Sequence, residues 1–174
     1  MNPPSARLLV WAGEKCACIR IIGRANFTSS IDFKTLINEL IQQGCTYFVL
    51  DLAECVLMDS TFLGVLAGFG LKLSAGNGNQ GQPGIELLNP SARITELLDT
   101  LGVLHLFKLT QGPLPSPEQT EPRPHTPGSP TKAEVTRACI EAHQTLMDIS
   151  PANAAKFKDV AQFLAEGLKK SKSA

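Results

Sequence analysis

Residues 47–66 read YFVLDLAECVLMDSTFLGVL, and this stretch decides the fold. Its first part, 47–52, is an almost continuous apolar run, which is typical of a strand buried on both faces at the centre of a sheet covered by helices. After a short loop, Asp59 is a favourable N-cap for an amphipathic helix. The apolar face of that helix is formed by Phe62, Val65, Leu66, Phe69 and Leu73. Strand, loop and helix in this order predict an α/β unit.

Strands and helices alternate on both sides of this unit. Further strands are predicted at 8–11, 16–22, 85–88 and 104–109, the last of them at a sheet edge. We therefore expect a mixed sheet of about five strands with helices packed against it.

Two more helices before residue 110 are indicated by apolar spacing and by end signals. The first has an apolar stripe from Phe33 to Ile41, a capping-box pattern of Ser29 with Asp32, and Gly44 as its stop. The other is predicted to begin at 89–90, where Asn precedes Pro, and to end at Gly102.

The composition changes abruptly at 111–130, where prolines are frequent and large apolar residues are rare. Such a segment predicts an extended, semi-rigid linker between a domain at 1–110 and an extension at 131–174. The extension contains two helical patterns, one opened by a capping box of Thr131 and Glu134 and the other by Ser150 and Pro151. Two helices cannot enclose a core alone, so they pack on the main domain, on a second copy or on another protein.

The charge balance argues against nucleic acid and anionic membranes as partners. The 174 residues hold 16 Lys and Arg against 16 Asp and Glu, which gives a net charge of zero. The apolar stretches are too short to insert into a membrane, and the N-terminus reads as a strand rather than a signal peptide. Five cysteines without framework spacing favour a reducing cytoplasm. Cys16 and Cys18 have no second ligand pair nearby, so we predict neither a metal nor a cofactor.

The segment from Leu50 to Leu66 resembles the signature of STAS domains. It has an apolar strand that ends in Asp51, a short loop, the pair Asp59-Ser60, and a leucine-rich helix with Gly64. The later stretch 85–102, with its Asn-Pro-Ser and Leu-Leu-Asp-Thr-Leu-Gly, is similar to the third-helix region of the family. The resemblance covers roughly residues 5–110.

The resemblance implies a non-enzymatic, protein-binding switch of the anti-sigma-factor-antagonist type, acting in bacterial transcription signalling. Its partner would be an anti-sigma factor that is also a serine kinase, and Ser60 would be the phosphorylated residue, with Thr61 as the alternative acceptor. Partner-binding residues would be Asp51, Asp59, Ser60, Thr61 and Gly64. A phosphate on Ser60 would place negative charge on the contact surface, so it would oppose docking of the partner.

Several alternatives stay open at this stage. Ser60 is also readable as an ordinary first-turn residue, and Asp51 as a residue that binds loop amides. The same fold without phosphorylation would suit a small subunit docking on a transporter ATPase or another signalling complex. An enzyme is disfavoured because no nucleophile and base with an orienting third group are recognisable. Cys139 and His143 share one helix face and favour helix packing, while the extension would either form a homodimer or cover the partner face.

Overall fold

The computed structural model describes residues 5–75, 82–113 and 121–172. The strands and helices follow one another along the chain in this order: β1 (Arg7–Ala12), β2 (Cys16–Ala25), α1 (Phe27–Gln42), β3 (Tyr47–Asp51), β4 (Cys55–Met58), α2 (Ser60–Ala75), β5 (Ile85–Leu88), α3 (Ala92–Thr100), a 3-10 turn (Leu104–Leu106), β6 (Lys108–Thr110), β7 (Arg123–Pro124), α4 (Lys132–Ile149) and α5 (Ala152–Lys172).

The strands form one mixed sheet in the order β6-β5-β3-β2-β1-β7, and β4 pairs with the end of β2. β1 runs antiparallel to β2 and β7, and the other pairs are parallel. β3 therefore lies inside the sheet between two parallel neighbours, as its apolar run predicts. The expected α/β class and mixed sheet are confirmed, and the described sheet has seven strands rather than about five.

Apolar side chains pack on both faces of β3. Phe48 and Leu50 belong to the main core, which the helices share. Val49 points the other way and belongs to a smaller cluster with Trp11, Cys18 and Leu88. The smaller cluster consists of strand residues, so the described helices complete the core on one face of the sheet only.

The start of α1 differs from the prediction. Asn26, not Ser29, is the N-cap, because its side-chain oxygen accepts hydrogen bonds from the backbone N–H groups of Thr28 and Ser29. Ser29 completes a capping box by accepting from the N–H of Asn26. The helix can begin this early because β2 continues to Ala25 and leaves no intervening loop.

Two further boundaries were wrongly predicted from sequence. The N-cap of α3 is Ser91 rather than Asn89, whose φ of 55° and amide contacts with Gly112 belong to a turn. The strand expected at 104–109 is a 3-10 turn followed by the three-residue edge strand β6. The short strand β4 was not predicted, because a four-residue run between polar residues carries too little periodicity.

The described part of the proline-rich segment is extended and lies along the sheet edge. β7 pairs with β1, and the N–H of His125 donates to the carbonyl of Leu8 at 2.9 Å. Further on, the N–H of Gly128 donates to Asp32 Oδ1 at 2.9 Å. Asp32 therefore holds this segment instead of forming the predicted capping box. Residues 114–120 of the predicted linker lie outside the described residues.

The C-terminal helices pack on the domain that precedes them. α4 begins with the predicted capping box of Thr131 and Glu134 and then lies across α2 and α1. Leu146 of α4 is fully buried in the main core. Asn153 at the start of α5 donates to the carbonyls of Leu101 and Leu146. Among the three expected modes of packing, the structure shows the one on the main domain.

Candidate functional site

The predicted acceptor Ser60 is the first residue of α2 and follows β4 after a single residue. That residue, Asp59, caps the helix: its Oδ1 accepts from the N–H of Phe62 at 2.9 Å. The backbone N–H of Asp59 donates to the carbonyl of Ala25, which fixes the junction to the end of β2. The predicted order of strand, connection and helix is present, but the connection contains the unpredicted strand β4.

Asp59 lies in a partly desolvated position. Burial raises the pKa of its carboxyl group, while the backbone N–H groups at the start of α2 and the nearby His143 ring act in the opposite direction. A second negative charge beside Asp59 would be added to a site where one carboxylate is already poorly solvated.

The sequence led us to expect an accessible hydroxyl on Ser60. In the structure, Ser60 does not have an open hydroxyl. Its side chain is half-buried, and its Oγ lies 2.8 Å from Nε2 of His143 on α4. In one imidazole tautomer the serine hydroxyl donates to Nε2, and in the other Nε2–H donates to Oγ. The C-terminal extension thus contacts the residue that the family resemblance marks as the switch.

Thr61, the alternative acceptor, is less accessible than Ser60. It is buried, and its hydroxyl donates to the sulfur of Cys139, also on α4, at 3.4 Å. Cys139 and His143 lie one helical turn apart, so two successive turns of α4 contact two successive residues of α2.

Gly64 completes this contact. A Cβ built on Gly64 would collide with the backbone of Ala142 and lie 2.7 Å from its Cβ. The absence of a side chain on Gly64 therefore permits the close approach of α4. The same addition at Gly68 meets only an ordinary contact of 3.8 Å with Thr145.

Asp51 is not brought into contact with the residues around Ser60. Its Oδ2 accepts from Nε of Arg20 at 3.0 Å, and its Oδ1 accepts from the N–H of Ala53 at 3.1 Å. Arg20 in turn lies over the ring of Trp11, at 5.3 Å from the centroid. These contacts match the alternative in which Asp51 binds a loop amide, while a role in partner binding stays a prediction.

His143 is the residue of the site that the sequence did not identify. It is 5% exposed, and its ring stacks on Phe157 of α5 with centroids 4.9 Å apart. The shared face of Cys139 and His143 was a correct signal of helix packing, but residue spacing within α4 cannot reveal that the face meets Ser60. A contact across 83 positions requires the fold.

The pKa of His143 is lowered by burial, and the backbone of Cys139 and the charge of Asp59 oppose the shift only in part. Within the described residues, its buried Nδ1 has no partner in hydrogen-bonding geometry. The neutral imidazole is therefore the form that fits between Ser60, Asp59, Cys139 and Phe157.

A dependence of stability on pH follows from this environment. Because the folded protein lowers the pKa of His143, the unfolded chain binds the proton more tightly. The contribution of neutral His143 to the free energy of unfolding is full above the ordinary histidine pKa near 6.5. It declines as the pH falls below that value. We expect urea denaturation between pH 7.5 and 5.5 to show this loss and His143→Gln to flatten it. An identical pH profile for the two proteins would contradict the prediction.

A serine hydrogen-bonded to a histidine also occurs as the nucleophile and base of hydrolases. Here, however, the imidazole lacks an orienting acid, because within the described residues no carboxylate accepts a hydrogen bond from Nδ1. In the same part of the chain, no cluster of three His, Cys, Asp or Glu side chains is arranged to hold a metal ion. None of the described helices has the length and apolar character needed to cross a bilayer.

The mixed sheet, the helices on one of its faces and the helix that begins at the Asp59-Ser60 junction make up an α/β domain. The fold resembles the structure titled "Structure of the Anti-Sigma Factor Antagonist SpoIIAA in its Unphosphorylated Form", with a TM-score of 0.50, 21% identity, and 59% of this chain and 86% of that chain covered. A second similar structure is the Bacillus cell fate determinant SpoIIAA in its phosphorylated form, with a TM-score of 0.47, 20% identity, and coverage of 59% and 89%. No individually curated protein matches the sequence.

The family model for the STAS domain matches residues 12–113, which is more than half of the chain. The chain therefore belongs to the STAS-domain family, whose members regulate or bind other proteins. The match ends at residue 113, near the start of the proline-rich segment, so α4 and α5 lie outside the part of the chain that the family model covers.

Proposed function

We propose that this protein is a binding switch of the anti-sigma-factor-antagonist kind, controlled by phosphorylation at Ser60. The proposal rests mainly on the position of Ser60, directly after the Asp59 cap at the first residue of α2. The proposed partner is an anti-sigma factor with serine kinase activity, and the proposed setting is the bacterial cytoplasm. SpoIIAA, which carries the name anti-sigma factor antagonist, shares the fold and is known in phosphorylated and unphosphorylated forms.

The helix start supports this role on physical grounds. The first turn of a helix carries free N–H groups and a partial positive charge, which attract a phosphate. The phosphate adds about −1.5 to −2 charges at pH 7, and Asp59 beside it is already desolvated. A partner that covers this surface would have to desolvate both charges, so phosphorylation would weaken docking without unfolding the domain.

The proposal is tested with Ser60→Asp and Ser60→Ala. We expect the partner kinase to bind the Asp variant roughly tenfold or more weakly than the Ala variant, which corresponds to about 1.4 kcal/mol. Isothermal titration calorimetry measures the affinities. Mass spectrometry of the intact protein from its native host, with the modified residue mapped, establishes whether one phosphate is carried at Ser60. Equal affinities of the two variants, or a phosphate elsewhere, would refute the switch.

Self-association through the C-terminal helices stays a prediction. The face of α4 toward α2 is already occupied, so α5 is the better candidate surface, and its Val160 and Phe163 are 45% and 75% exposed. Sedimentation of the full chain beside Phe163→Ser tests this. A monomer in both cases would end the dimer hypothesis without touching the switch.

A further inference from the structure

We propose that the C-terminal extension is a built-in competitor for the Ser60 surface: α4 occupies the place of a partner helix, and a phosphate on Ser60 excludes it. This inference rests on the proposed function and adds a regulator to the same site. It predicts a closed state with α4 docked and an open state in which Ser60 is accessible.

The occupied surface is the one on which the proposed switch depends. Three of its predicted partner-binding residues touch α4: Ser60 contacts His143, Thr61 contacts Cys139, and Gly64 contacts Ala142. A protein that needs the same three residues cannot reach them while α4 is docked.

A phosphate on Ser60 does not fit the docked arrangement. The position beside Oγ is filled by His143 Nε2 at 2.8 Å, and Phe157 stacks behind the imidazole. The backbone of Ala142 lies directly on Gly64, so α4 is held close to α2. The ring therefore has no room to withdraw, so a phosphate on Ser60 would have to occupy the position that the ring now holds. Phosphorylation accordingly opens the extension.

The residues of α4 describe the partner that would replace it. The replacing helix needs a small residue against Gly64, as Ala142 is, and a hydrogen-bonding group toward Ser60. A carboxylate toward Lys34 would also favour binding, because Glu141 of α4 now forms an ion pair with Lys34 at 3.1 Å. We infer a partner that presents a helix with a small residue against Gly64 and an acidic residue toward Lys34, in competition with α4 for one site.

Alkylation of Cys139 in the full chain reports docking without any partner. Its thiol is partly buried against Thr61, and burial raises its pKa, so the closed state protects it. The exposed Cys16 should react in every sample, and the buried Cys55 should react only on global unfolding. Iodoacetamide labelling, read residue by residue by mass spectrometry, separates local opening from unfolding.

The contact of Gly64 with Ala142 can be disrupted from either side. Gly64→Ala and Ala142→Leu should each speed labelling of Cys139 roughly tenfold or more, while Cys55 stays protected. Gly68→Ala, one turn further along α2, and Gln144→Leu, on the exposed side of α4, are the matched controls and should label as the wild type does. If Cys139 is alkylated at the wild-type rate in both Gly64→Ala and Ala142→Leu, the proposal that α4 occupies this surface is overturned.

Two further comparisons test the competition itself. Cys139 should be alkylated faster in Ser60→Asp than in Ser60→Ala. Equal or slower alkylation would overturn the proposal that a phosphate on Ser60 excludes α4, whether or not a kinase acts. Ala142→Leu leaves the STAS surface intact and should bind the partner kinase more tightly than Gln144→Leu. Equal affinity would refute the competition, whereas failure of the switch would appear as equal binding of the two Ser60 variants.

Discussion

Leu146→Ala is expected to lower the free energy of unfolding by about 2–5 kcal/mol, the range for a buried leucine that leaves a cavity. Leu146 lies on α4, outside the family-matched region, yet it is fully buried and belongs to the main core. Urea denaturation followed by circular dichroism measures the change. Phe163→Ala is the control, because Phe163 is a larger apolar residue of the same extension but is 75% exposed. Its substitution should change stability by about 0.5 kcal/mol or less.

The same experiment distinguishes an integrated extension from a loosely attached one. The single tryptophan, Trp11, lies in the smaller cluster of strand residues, so its fluorescence follows unfolding of the STAS domain. Circular dichroism also follows unfolding of α4 and α5. If α4 opens before the domain unfolds, the two transitions will separate in Leu146→Ala. A loss below about 1 kcal/mol with coincident transitions would contradict the view that Leu146 fills a core position.

Most strands and helices could be predicted because each is marked by a short, continuous stretch of sequence. The run at 47–52 marked a buried strand, and Asp59 with the apolar face behind it marked the next helix. The start of α1 was predicted wrongly at Ser29, and the structure has Asn26 as the N-cap. The position of this cap depends on how far β2 extends, which sheet pairing rather than propensity determines.

Only the part of the candidate site that lies at the start of α2 was predictable from the sequence. Asp59, Ser60 and Gly64 stand in one short segment, so a motif could reveal them. His143 and Ala142 reach them from a helix about 80 positions later, across a proline-rich segment whose path no periodicity describes. Gly64 carried the clearest hint, since a glycine inside a helix is unfavourable unless something packs against it.

Asp51→Ala is expected to lower the free energy of unfolding by about 2–3 kcal/mol. The carboxylate is 5% exposed, and its removal takes away the hydrogen-bond acceptor of both the Arg20 Nε and the N–H of Ala53. The loss stays below that of a fully buried pair because the Arg20 side chain is 32% exposed and regains some water. Urea denaturation provides the measurement.

Glu54→Ala is the matched control for the Asp51 experiment. Glu54 approaches the same Nε of Arg20, at 3.9 Å, but it is 57% exposed, so its removal should cost about 0.5 kcal/mol or less. The comparison also decides between the two roles that the sequence left open for Asp51. A structural ion pair predicts loss of stability with unchanged partner affinity of the folded variant. A carboxylate that contacts the partner predicts weaker binding even where stability is retained, and that result would return Asp51 to the interface.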